Sequence, residues 1–234
     1  IYLMAHALYK GALFMLAGSI SHATGIYDAD SLCGLRRAMP LTAAAGILAA
    51  LSMMGILPML GFVGKETLYE ATLAAVGESG STLLIVRWLT ALVVAAHMLL
   101  FVVAIRVGIR PFLGATRPTP EKPHEVSPSL WLGPLVPAIA GVIGGVMGSR
   151  VGEFLVFPAV EAIRGVSEAG SSAAPMHTRL ALWHGFTPVL ALSGLTLTGG
   201  LFLVVLRRQL LQTAAPIGGL ANWGPSAGYD QALS

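Results

Sequence analysis

The chain has 234 residues, 55% of them hydrophobic and only 11% charged, with a formal net charge of +3. Soluble domains carry about 25% charged residues, so a mean hydropathy of +0.77 excludes an ordinary soluble enzyme and points to a polytopic membrane protein. The small, dispersed charge excludes a nucleic-acid-binding surface, and a lone cysteine, Cys33, excludes an internal disulfide framework.

A transmembrane helix needs about 20 mostly apolar residues, and five segments meet that length: 1–21, 41–76, 83–106, 130–149 and 186–206. The expected fold is therefore an all-α bundle of about five spans. The opening "IYLMAHALYK" is apolar from its first residue and has no initiator Met, which reads as the interior of a longer protein. The segment 41–76 is too long for one straight span. It contains "GILPMLGFVGKETL" (55–68), where Gly55, Pro58 and Gly61 break the helix just before Lys65 and Glu66. Residues 113–129 form a Pro-rich polar loop, and 151–166 read as an interfacial helix within the later membrane region 130–212. A Ser/Ala/Gly linker follows at 167–178, and the tail 213–234 reads as a loop leading to a further helix.

Positive residues orient the spans. The loops after the first, third and fifth spans hold Arg36, Arg37, Arg106, Arg110, Arg117, Lys122, Arg207 and Arg208, against Arg87, Arg150, Arg164 and Arg179 on the other side. The richer side is assigned to the cytoplasm. The remaining cations, Lys10 and Lys65, lie inside spans.

A charge at mid-membrane costs roughly 2.5–3.5 kcal/mol on insertion scales, and such residues usually mark ion or proton paths. Lys10 sits about 17 Å from the cytoplasmic end of its span at 1.5 Å per residue, near mid-depth. His6 lies one turn earlier on the same face, Tyr2 one turn earlier again, and His22 near the cytoplasmic end. Histidine and lysine at helical spacing can pass protons. Broken helices are tolerated at depth only where protein or a water-filled cavity surrounds them, and the freed backbone groups can hold water or ions. Lys65 is placed beyond the break, in the outer half of the span.

Plainer readings stand beside these. His6 can be a structural hydrogen bonder, Lys10 half of an ion pair, and Lys65 a snorkelling lysine if its span ends early. His97, lone in "VVAAHMLLFV", reads as a packing residue as readily as a functional one, and His22, Asp28 and Asp30 can be ordinary loop polarity. Met53, Met54 and Met59 read as core filler. His124 and His177 are too isolated for a metal site, and neither a phosphate loop nor a nucleophile elbow occurs. No cofactor and no metal is expected.

The stretch "HALYKGALFMLAGSISHATGIYDADSLCGLRRAMP", followed by "SMMGILPMLGFVGKETLYEA", resembles the antiporter-like membrane subunits shared by Mrp-type sodium/proton antiporters, respiratory complex I and membrane-bound hydrogenases. "ALWHGFTPVLALSGLTLTGGL" (181–201) and the tail "GYDQALS" look like the large A subunit of the Mrp antiporters. The resemblance implies a C-terminal portion only, starting inside the eleventh helix, with residues 1–112 closing the ion-translocating module. By position it makes His6, Lys10, His22 and Lys65 the proton relay, with Tyr2 and Glu66 as tuning groups. Tyr2 stands where the family often has a second histidine. Leu57 and Leu60 replace a proline and a polar residue, which implies a milder and drier break.

The implied function is part of a cation/proton antiporter in a bacterial or archaeal cytoplasmic membrane. Its partners would be other small membrane subunits of an Mrp-like complex, protons, sodium ions and the lipid bilayer. A proton-pumping subunit of a complex-I-like NADH:quinone oxidoreductase or hydrogenase is the alternative. A membrane scaffold with degenerate ion groups is the third reading. No soluble enzyme reading survives.

Overall fold

A computed structural model describes residues 1–78, 83–167 and 185–214. The linker 168–184, which includes Trp183 and His184, and the tail 215–234 lie outside the described residues.

The described chain is all α. Eight helices follow in order: α1 (Tyr2–Thr24), α2 (Pro40–Met54), α3 (Leu60–Glu78), α4 (Leu83–Ala104), α5 (Pro128–Val146), the single turn α6 (Gly148–Val151), α7 (Phe157–Ser167) and α8 (Pro188–Ala214). The segments Tyr2–Thr24, Leu84–Phe112, Pro128–Val146 and Pro188–Arg207 are each long and apolar enough to cross a membrane, and α2 with α3 supplies a broken fifth. The protein is thus a polytopic transmembrane helix bundle.

α1, α2 and α5 pack against one another, and α4 pairs with α8. α3 joins the two groups, touching α1, α4, α5 and α8. The core beneath them is built of small and branched residues: Ala5, Ala12, Ala49 and Ala50 let helices approach, and Leu16, Leu35, Leu60 and Phe112 fill the gaps. The outward faces stay apolar, as at Phe14, Trp88 and Val205, which suits a lipid or protein surround.

The connection from α2 to α3 positions the site. Gly55 takes the left-handed conformation at φ 69° and ψ 48°. Its N–H donates to Ser52 O at 3.0 Å and the Ile56 N–H donates to Leu51 O at 3.1 Å, the paired bonds of a Schellman stop. Four residues, Ile56–Met59, then turn the chain before α3 starts at Leu60, and the Leu57–Pro58 bond among them is cis. The turn lies directly on α5: a Cβ at Gly145 would overlap the carbonyl oxygen of Pro58 and the backbone nitrogen of Leu60.

At one end of the bundle the segment 113–127 is more than a polar loop. It straps the α1–α2 connection. The Gly34 N–H donates to Leu113 O at 3.0 Å, Thr116 Oγ1 donates to Gly34 O at 3.3 Å, and the Glu121 N–H donates to Thr24 O at 3.4 Å. The Glu125 carboxylate accepts from the backbone N–H groups of Leu41 and Thr42 at 2.7 and 3.4 Å, and also from Thr42 Oγ1. It caps α2, whose own N-cap residue Met39 offers no acceptor side chain. Asp30, read from the sequence as plain loop polarity, gathers Arg106 and Arg110 in ion pairs, and its backbone carbonyl accepts from Arg117 Nη1 at 3.0 Å. The cations that follow α4 are thereby tied to the connection after α1.

Because backbone meets backbone at Gly145, a side chain there has no soft neighbour to displace. Gly145→Ala is expected to destabilise the assembled protein by about 1–3 kcal/mol. Gly18→Ala, whose added Cβ would meet nothing within 4 Å, is expected to leave it unchanged. Melting of the purified detergent-solubilised protein checks both.

Candidate functional site

α3 turns three adjacent functional side chains into the protein: Lys65, Glu66 and Tyr69. Tyr69 is four residues after Lys65 and three after Glu66, so it neighbours both on the helix surface. Lys65 is only 1% exposed, which rules out a snorkelling geometry. Its Nζ donates to Gly55 O at 3.1 Å and lies 5.7 Å from the centre of the Phe62 ring. The helix break thus provides the lysine with its partner, because a carbonyl past the end of α2 has no helical donor of its own. Gly55 serves this contact twice. Its left-handed backbone favours glycine, and a Cβ there would lie 2.9 Å from Lys65 Cε and Nζ.

Glu66 and Tyr69 face α8. Ser193 Oγ donates to Glu66 Oε1 at 2.9 Å, and Tyr69 OH and Thr196 Oγ1 are 2.7 Å apart. Thr196 Oγ1 donates its single proton to Leu192 O at 2.7 Å, so Tyr69 is the donor in the pair. Both rungs use i, i+3 spacing on both helices, so α3 and α8 are laced along one edge. Among the described residues neither Lys65 nor Glu66 forms an ion pair.

On α1, Tyr2, His6, Tyr9 and Lys10 form one stripe. Tyr9 OH and His6 Nδ1 are 2.9 Å apart, and the His6 ring lies 5.1 Å from that of Tyr9 and 6.1 Å from that of Tyr2. Lys10 is half-buried, with its charge within reach of His6. The stripe meets α3 at Tyr2, whose Cα would lie 3.0 Å from a Cβ added at Gly64. His22 is exposed at the far end of α1, and among the described residues no hydrogen bond or ring contact joins it to this row.

His97 of α4 is not the lone residue its sequence suggests. It is 7% exposed, with the Tyr2 ring at 5.6 Å and the Tyr69 ring at 5.4 Å, both edge to face. The candidate site therefore also contains Tyr69, Ser193 and Thr196, which the sequence reading did not single out, and His97, which that reading named but saw as isolated. Tyr69 had a signal, one turn beyond Lys65. Ser193 and Thr196 had one too, as hydroxyls at i, i+3 in an otherwise apolar span.

Comparison with known proteins decides the family. Residues 1–104 match the family described as NADH:quinone oxidoreductase/Mrp antiporter, TM. The Na(+)/H(+) antiporter subunit A1 of Staphylococcus saprophyticus is 35% identical over 192 residues, 80% of this chain and 23% of that protein. The protein of the same name from Staphylococcus aureus strain Newman is 29% identical over 212 residues, 87% of this chain and 25% of that one. A solved structure of the Mrp complex from Dietzia sp. DQ12-45-1b superposes with TM-score 0.67 at 34% identity, over 97% of this chain and 24% of the matched one.

Residues 1–104 belong to the antiporter-like membrane subunit family. The chain spans about a quarter of the length of the curated relatives it matches. The family match ends at residue 104, the last of α4, so the Glu66–Ser193 and Tyr69–Thr196 contacts tie the antiporter-like segment to a helix beyond it. A double-mutant cycle with Tyr69→Phe and Thr196→Val is expected to show a coupling of about 1 kcal/mol, read from the melting of the purified protein.

Proposed function

We propose that the chain forms part of a cation/proton antiporter subunit that conducts protons through an intramembrane His/Lys relay coupled to sodium exchange. The observation that carries this reading is Lys65: a fully buried amine held on the freed Gly55 carbonyl at a broken helix, beside the Glu66 carboxylate. Burial without a counter-ion in contact makes the charged state of such a group responsive to its neighbours. In this reading Lys10 takes a proton from His6 or from a water chain, and Lys65 then passes it toward the outer face. His22 marks the cytoplasmic mouth, at the end rich in arginine. Glu66 biases the charge state of Lys65 through space, since adjacent helix residues do not face each other.

The names of the relatives support sodium as the exchanged ion and a bacterial cytoplasmic membrane as the setting. The Mrp complex found by structural comparison supports other small membrane subunits as partners. The family description also covers NADH:quinone oxidoreductase subunits, which supports a redox-driven proton pump as the second reading, with the same relay and a different energy source.

In the complete complex, Lys65→Ala is expected to abolish sodium-dependent proton exchange while the subunits still assemble. Everted membrane vesicles with a pH-sensitive dye measure the exchange. Normal exchange by the variant removes Lys65 from the relay.

A further inference from the structure

The α1 stripe and the α3 groups belong to different helices, and His97 stands between them. Its ring is wedged edge to face between Tyr2 of α1 and Tyr69 of α3. Its Nδ1 lies 2.8 Å from Val93 O. A carbonyl only accepts, so Nδ1 carries the proton and the neutral ring leaves Nε2 as a bare acceptor. That Nε2 is buried and, among the described residues, has no hydrogen-bond partner. An orphaned buried nitrogen costs free energy unless it does something else. Lys65 stands one turn before Tyr69 on α3, and the Tyr2 backbone packs against Gly64 beside it.

We infer that His97 is the junction of the relay, taking protons at Nε2 from the His6–Tyr9–Tyr2 side and releasing them at the same nitrogen toward Lys65. This rests on the proposed antiporter reading and adds α4 to it. In each passage the Tyr2 hydroxyl gives its proton to Nε2 as it takes another from the protonated His6 side, and the imidazolium so formed keeps Nδ1–H donating to Val93 O. Nε2 then loses the proton to the neutral amine of Lys65, directly or through a bridging water, and the ring returns to its starting tautomer. Because Val93 holds the other nitrogen, the ring need not flip between uptake and release. The same tether fixes which edge of the ring is offered to the two tyrosines.

The test uses the complete complex in everted vesicles. His97→Gln keeps a donor for Val93 O and a comparable volume but cannot hold a proton. Exchange is expected to fall about a hundredfold, with the amount of assembled complex unchanged and a larger solvent deuterium isotope effect on what remains. His97→Gln with normal exchange, beside a Lys65→Ala control that has lost it, overturns the junction and leaves the antiporter reading standing. Normal exchange in both overturns the reading itself. If His97→Gln lowers assembly, Tyr2→Phe decides, since it keeps the ring against His97 and removes only the hydroxyl. A loss of exchange of about tenfold or more with intact assembly then supports the junction, and unchanged exchange overturns it.

Discussion

A lysine amine cannot be left unpartnered inside an apolar bundle, and the rest of the site is arranged around that constraint. In an intact helix each interior carbonyl already accepts a bond from four residues on, and so has only its second lone pair to offer. Breaking the span at Gly55 releases a carbonyl, and Lys65 reaches back ten positions in sequence to take it. The left-handed glycine, the four-residue turn and the smooth face of α5 at Gly145 all follow from keeping that carbonyl inside the protein and facing the lysine. The break is thus a binding element in its own right, and its softness as a helix defect is secondary.

The same logic explains why α3 occupies the middle of the bundle. Its cationic, acidic and phenolic side chains each need a polar answer at depth. These come from three directions: Gly55 behind it, the α8 hydroxyls on one side and His97 on another. Each answering group is small, or, like His97, sits in a mostly apolar helix, so the polar seam stays narrow and the surrounding surface stays apolar.

Much of this was legible in the sequence. Glycine, proline and lysine stand out against an apolar background because each costs free energy there, so the break and the buried cations are visible without a fold. The eventual partners were not visible. Val93 O, which fixes the His97 tautomer, is a backbone atom, and Tyr2 and Tyr69 lie on other helices. A histidine in "VVAAHMLLFV" therefore looks solitary until three helices are brought together. Likewise, the proline content of 113–127 signals a departure from helix but not where the strand of chain lies, because its bonds run to Thr24, Gly34 and Thr42, far back along the chain. His22 illustrates the converse. Its place at the end of α1 was clear, yet helical spacing alone did not connect it to the row deeper in the span.

The cap that Glu125 places on α2 bears on biogenesis. Chains emerge from the ribosome N-terminal part first, and the acceptor for the first N–H groups of α2 is encoded after α3 and α4 have both been made. Until it arrives, those groups must rely on water at the membrane boundary. The end of the bundle where Glu125 docks is consequently sealed late, and a chain released before that residue would expose an open helix terminus there, the kind of surface by which quality-control proteases could tell an unfinished subunit from a finished one.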